Sequence, residues 1–358
     1  MGQTLSEPIT DKHTSQDADD RLMYAASSMQ GWRITMEDAH STILNLLALD
    51  DPTKTSPRHS FFAVYDGHGG SAVAKYSGNH LHKKILQEPS FKNGNYELAI
   101  KKGFLQTDVD LRTSPEYLAD PAGCTAVTVL ITDEMKIYCG NAGDSRAVLS
   151  SKGNAVALSY DHKPTNPAET ARIRAAGGYV EFGRVNGNLA LSRAVGDFEF
   201  KTNPGLGPED QVVTVNPDIE VRQLIATEDD FIVIACDGIW DCMSNDQVID
   251  FVMTQIAADQ PLSNIAELMM EYCLAGDSDV GGVGCDNMTV VIVAILGDGK
   301  GVSMGYEEWV GQVKRRWEAK ENKSVFQVKE ARGLIGGVVQ GGQQQLADED
   351  GVVALQSK

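Results

Sequence analysis

The stretch FFAVYDGHGG, residues 61–70, runs an apolar segment straight into a carboxylate, Asp66, and an imidazole, His68, with glycine at 67, 69 and 70. An Asp-Gly pair alone marks a turn. The arrangement recurs, however. FIVIACDGIWD ends a second apolar run in Asp237, with Asp241 four residues on; IYCGNAGDSR supplies Asp144; GVGCDN places Asp286 just before another apolar run; and GWRITMEDAH offers Glu37 and Asp38 close after Arg33. Brought together, these acids would repel one another and hold their protons. A hard divalent cation removes that cost. Mg2+ or Mn2+ takes oxygen ligands and keeps several waters, and Gly67, lacking a side chain, lets a backbone carbonyl join the set. Zinc fits poorly, because neither H-E-x-x-H nor C-x-x-C occurs. Two such ions can lower the pKa of a shared water. Arg33 can grip a phosphate through two hydrogen bonds, and His68 can protonate a leaving alkoxide. These residue types add up to hydrolysis of a phosphate ester.

Composition agrees with that chemistry. The chain has 358 residues, 42% of them hydrophobic, and a formal net charge of −19. So acidic a chain is not a non-specific nucleic-acid binder, and it needs a local positive charge, such as a metal ion, to hold an anionic substrate. The six cysteines, Cys124, Cys139, Cys236, Cys242, Cys273 and Cys285, mostly lie in apolar runs and read as reduced thiols of a cytosolic or nuclear protein. No apolar run approaches a membrane span. The opening MGQTLS fits M-G-x-x-x-[ST], an N-myristoylation signal on Gly2.

The elements that must position these groups are legible as strand-like runs at 61–65, 125–132, 135–140, 146–151, 218–225, 231–236 and 288–296, several joined by short polar turns, which predicts antiparallel sheets in a sandwich. Helical spacing covers 71–87 and 96–112; Asn166-Pro167 opens a third helix that stops at Gly177-Gly178; Ser244 and Gln247 form a capping box for 245–258; and another helix follows near 262–275. Residues 1–20 are polar and expected to be flexible. The segment 305–320 reads as an amphipathic helix docked on the core, followed by a Gly/Gln-rich tail. The chain thus divides into a flexible segment 1–20, a catalytic domain 21–298 and a C-terminal helix and tail, 299–358.

YDGHGG, GWRITMEDAH, NAGDSRAVL, NLALSRAVGD, ACDGIWD and CDNMTVVIV stand in the order found in metal-dependent protein serine/threonine phosphatases of the protein phosphatase 2C type, and the chain resembles fungal members with an N-myristoylation signal. The resemblance covers roughly residues 21–296. It implies an α+β fold, an αββα sandwich of two antiparallel sheets flanked by helices, with a dinuclear Mn2+ or Mg2+ centre between the sheets. By that resemblance Asp66 bridges both ions and Gly67 offers its carbonyl to one; Asp237 and Asp286 bind the other; Glu37 and Asp38 act mostly through waters; Asp144 and Asp241 hold a weaker third ion. Arg33 then resembles the phosphate-binding arginine and His68 the general acid, while DHKPTNPAETARI through LSRAVGD resembles a flap beside the site, with Arg193 as a substrate contact. The implied partners are phosphorylated proteins, stress-activated protein kinases among them, for a monomer in cytosol and nucleus with a minor, weakly membrane-associated pool if Gly2 is acylated.

Rival chemistries lack their residues. No cysteine has an arginine six positions later, as a C-x5-R phosphatase requires. GNH at 78–80 sits inside a helical pattern without the acid a different metallophosphatase would place after it. DVDLR at 108–112 fails the pattern of an aspartyl-phosphate loop. A catalytically silent pseudophosphatase, acting as a membrane-recruited binding module, should have lost metal carboxylates, yet all seven are present.

Overall fold

The computed structural model describes residues 4–49, 51, 53–54, 56–278, 282–299, 301 and 303–321. Gly2 and the tail beyond residue 321 lie outside them. In the strand Ser60–Tyr65, side chains alternate and every residue is buried. Phe61, Ala63 and Tyr65 join one apolar cluster, Phe62 and Val64 another. A strand buried on both faces belongs inside a layered structure.

The layers follow from that alternation. One sheet runs, neighbour to neighbour, Thr4–Ala18, Leu22–Arg33, Met288–Ile295, Asp229–Ala235, Arg146–Ser151 and Asn154–Ala157; the other runs Asp218–Gln223, Lys136–Ala142, Ala126–Ile131, Ser60–Tyr65 and Ala39–Ile43. All their pairings are antiparallel. Between the sheets lies a dry layer built by Leu22, Tyr24, Phe62, Val64, Val127, Ile232 and Val291 with their neighbours; burying each large side chain of that kind contributes about 1.5–3 kcal/mol. The helices Ala72–Gln87 and Tyr96–Thr113 cover the outer face of the second sheet. Asn245–Ala257 and Leu262–Cys273 cover the first. This is the expected αββα sandwich, and the Ser244–Gln247 capping box is formed.

Several strands depart from the sequence reading. Where the sequence predicts a flexible segment over 1–20, Thr4–Ala18 is a strand, antiparallel to Leu22–Arg33, with Thr4 opposite Arg33 and Ala18 opposite Met23. Its side chains are mostly exposed, so no apolar alternation announces it. The backbone ladder holds it, helped by Lys12 Nζ to Glu271 Oε1 at 2.9 Å and Thr14 Oγ1 to Ser27 Oγ at 2.8 Å. The strands Leu22–Arg33 and Ala39–Ile43 also lie outside the runs read as strands. At the other end, residues 305–321 are helical as expected. Trp309 anchors them: its ring is fully buried and its Nε1 donates to the Asp230 carbonyl at 2.7 Å.

Candidate active site

Four chain segments converge at one end of the sandwich. Asp66 follows the last residue of Ser60–Tyr65, and Thr125 N donates to its carbonyl at 2.8 Å. Asp237 opens the short helix Asp237–Trp240 directly after the strand Asp229–Ala235 and Cys236. Asp286 stands just before Met288–Ile295. Glu37 and Asp38 precede Ala39–Ile43. The glycine after each strand-end aspartate has a packing reason. A Cβ on Gly67 would lie 2.3 Å from the Glu37 carbonyl oxygen, and one on Gly238 would lie 2.1 Å from that of Asn287. Each Asp-Gly pair therefore lets the backbone of another acid-bearing segment press against it. Asn287 stitches the set together. Its Nδ2 donates to the Gln30 and Thr35 carbonyls at 2.8 and 2.9 Å, and its Oδ1 accepts from Glu37 N at 2.9 Å.

The cavity these segments line has a volume of about 390 Å3 and is bounded by Arg33, Glu37, Asp66, His68, Asp144, Asp237 and Asp286, among others. Burial, and the charges of Asp237, Asp38, Asp144 and Asp286, push the Asp66 carboxyl well above its usual range. Burial and the charges of Asp144, Asp286 and Asp241 do the same to Asp237. Asp38 is pushed up to about 7, mainly by burial. Thr289 Oγ1 donates to its Oδ2 at 2.7 Å, while its Oδ1 is buried without a hydrogen-bond partner. Asp38, Asp66 and Cys236 present atoms within 4.8 Å of one another. Cys236 is no ligand for a hard cation: burial, and the charges of Asp38 and Asp66, keep its thiol protonated. The donor set is thus carboxylate oxygen, crowded beyond what protons comfortably satisfy, and it suits Mg2+ or Mn2+.

His68 is placed by a three-stranded ribbon of two-residue strands. Gly67–His68 pairs with Gly123–Cys124, which pairs with Val195–Gly196. The next residue, Asp197, accepts from or shares a proton with His68 Nε2 at 2.8 Å. Gly123 lies between them, and a Cβ there would come within 2.3 Å of Asp197 Oδ2 and 2.7 Å of His68 Nε2. Burial alone would lower the imidazole pKa, but the hydrogen bond and charge of Asp197, with Asp144 and Glu37 beyond, outweigh it and the net shift is upward.

Residues 22–279 match the family model for protein phosphatase 2C. The chain belongs to the protein phosphatase 2C family. A protein phosphatase 2C homolog 2 of Hypocrea jecorina is 54% identical over 317 residues, 88% of this chain and 71% of that protein. One from Schizosaccharomyces pombe is 53% identical over 312 residues, 87% and 83% respectively. A solved phosphatase from Toxoplasma gondii superposes with a TM-score of 0.67 at 27% identity, over 80% of this chain and 96% of that one. This protein phosphatase 2C is therefore a metal-dependent protein serine/threonine phosphatase.

Within that phosphatase the structure sorts the residues singled out from sequence. Arg33, Glu37, Asp66, Gly67, His68, Asp144, Asp237 and Asp286 line the one cleft, with Asp38 buried behind it. Arg33 Nη2 donates to Asp286 Oδ2. Asp144 accepts from Lys163 Nζ. Asp241 is exposed at the margin; its carboxyl is raised by partial burial and by Asp144, against the opposing charge of Lys163. Arg193 is the exception. It does not reach the cleft: it forks onto Glu169, with Nη2 to Oε1 at 2.7 Å, and onto Asp218 Oδ1 at 2.7 Å, at the base of the flap. A buried carboxylate on the helix Pro167–Ala175 captures it, and that partner is invisible from Arg193's own motif. Arg184 lines the cleft instead, from the hairpin Val180–Glu181 and Arg184–Val185. Sequence reading also passed over Asp197, Lys163 and Asn287, although each stands inside a quoted motif or next to a chosen acid.

Proposed function

We propose that the cleft takes the phosphate of a phosphoserine or phosphothreonine side chain beside two divalent cations, Mn2+ or Mg2+. Asp66, the Gly67 carbonyl, Asp237 and Asp286 would hold the ions, with Glu37 and Asp38 acting largely through waters, and Asp144 with Asp241 would hold a weaker third. The observation that carries this reading is the raised carboxyls of Asp66 and Asp237 beside a buried Asp38 oxygen with no partner. When bound, such ions supply Lewis acidity, activation of water at neutral pH and neutralisation of phosphate charge.

The chain's own groups do the rest. Arg33 grips the phosphate oxygens. His68, whose protonated form Asp197 favours, gives its proton to the departing serine or threonine oxygen, a poor leaving group that needs one. The test is hydrolysis of a phosphothreonine peptide after dialysis, with Mn2+ and then with excess EDTA. Turnover with Mn2+ and none with EDTA is the expected result; full activity in EDTA overturns the metal reading, and no activity in any divalent ion favours the pseudophosphatase. Thiol alkylation should leave activity largely intact, since five of the six cysteines are buried.

Gly2, in its M-G-x-x-x-S context, is proposed to carry myristate. One chain gives marginal, reversible attachment, hence a minor membrane pool beside a cytosolic and nuclear monomer. Intact mass from a eukaryotic host decides it. Stress-activated kinases are proposed among the phosphoprotein substrates on the family resemblance.

A further inference from the structure

Behind the ribbon that joins His68 to Asp197 lies a buried ion pair. Lys201 Nζ donates to both carboxylate oxygens of Asp108, at 2.9 and 2.8 Å, and to the Ala194 carbonyl at 2.8 Å. Asp108 Oδ1 also accepts from Gly196 N at 2.8 Å. Lys201 is 3% exposed and Asp108 7%. Desolvating two charges is costly, and removing either partner strands the other. The pair's remaining bonds do not go to distant structure. They go to residues 194 and 196, and Lys201 itself closes the segment, so the pair clasps the backbone on both sides of Asp197.

That backbone needs clasping. Gly196 has φ +79° and Asp197 φ +51°. Aspartate enters the left-handed region more readily than most residues, but the conformation still carries a cost that contacts must offset. Relaxation of Asp197 to negative φ would swing its carboxylate off His68 Nε2. Arg112 adds to the clasp: its Nη2 donates to the Lys201 carbonyl at 2.6 Å and its guanidinium lies over the Phe198 ring, 5.2 Å from the centroid.

We propose that Asp108 and Lys201 are positioning residues for the general acid: they fix Asp197 in its left-handed conformation and through it the orientation of His68. Asp108 sits on the helix Tyr96–Thr113, outside the cleft. The proposal rests on the reading of His68 as the acid, and one readout is independent of turnover.

The experiment compares wild type, Asp108→Asn and Lys201→Met, each alone and in a His68→Gln background. On a phosphothreonine peptide with Mn2+, either single change should lower kcat by about tenfold, the scale of misplaced geometry, with KM little moved. The loss should be much smaller on p-nitrophenyl phosphate, whose leaving group needs no proton. In the His68→Gln background the same changes should add almost nothing, since both act on one path. Separately, on histidine-15N-labelled protein at one fixed pH, the His68 ring nitrogen resonance should shift in both variants, reporting the altered bond to Asp197 whether or not the enzyme turns over. Equal losses on both substrates, additivity with His68→Gln, or an unmoved His68 resonance in folded variants would each overturn the proposal. If Asp108→Asn does not fold, Lys201→Met decides, and Lys201→Arg should restore part of the peptide activity.

Discussion

Arg33 and Asp286 share a hydrogen bond, Nη2 to Oδ2, so the guanidinium proposed to grip phosphate leans on a carboxylate proposed to hold metal. The two functions of the cleft are therefore electrostatically linked.

Removing Arg33 separates them. Arg33→Ala should weaken inhibition by inorganic phosphate by about 10- to 100-fold, the worth of one or two charge-assisted hydrogen bonds. Mn2+ affinity should not fall, because Asp286 loses a competing positive charge. Phosphate inhibition constants and Mn2+ calorimetry check this; a large loss of Mn2+ affinity would make Arg33 a structural brace.

Asp66→Asn should damage metal binding and turnover together. Asp66 is raised by four other acids, which places it at the centre of the cluster. A loss of more than about 100-fold in kcat/KM is expected, beyond what losing an outer hydrogen-bond partner costs. Normal Mn2+ binding and normal turnover would reduce Asp66 to a turn residue.

Glu169 ties acid stability to the flap. Burial would raise its carboxyl, but the hydrogen bonds and charges of Arg193 and Arg172 hold it down at about 2, against 4.5 ordinarily. The sign follows: a depressed folded pKa stabilises above the unfolded value, and that stabilisation drains away as pH falls from 4.5 toward 2. About 3 kcal/mol is involved. Glu169→Gln should be less stable at neutral pH and lose less on acidification, as urea midpoints at several pH values would register. A parallel acid response in both proteins would assign the effect to other carboxylates.

Trp309→Ala should cost about 3–5 kcal/mol, the range for deleting a buried indole, without changing kcat at a temperature where the variant is folded. The ring belongs to the same cluster as Val252, Met269 and Ile292, yet lies beyond residues 22–279 that match the family model. Chemical denaturation reads the first effect and peptide hydrolysis the second.

What sequence discloses here depends on how far a residue's partner lies along the chain. Asp66 and Asp237 are legible because each ends its own apolar strand, and a strand end fixes where a side chain stands. Asp197 is not, because its role depends on a left-handed backbone and on a histidine 129 residues away. Arg193 is misread for the same reason: its motif shows a cation near the site, but not the buried Glu169 that claims it 24 residues earlier. The strand Thr4–Ala18 escapes because backbone pairing holds it in place. It packs almost no apolar side chains, so it carries neither the alternation nor the apolar run by which a strand shows in a sequence.

That edge strand has a practical consequence. Thr4 faces Arg33 across the ladder, and Arg33 borders the cleft. Whatever is joined to the chain ahead of residue 4 is tethered within a few residues of the cleft entrance. A long acyl chain there would bring the mouth of the enzyme to whatever surface the chain enters, and a bulky fusion partner would stand guard over it. Kinetics measured on an amino-terminal fusion would then report the fusion as much as the enzyme, and large phosphoproteins would suffer more than peptides.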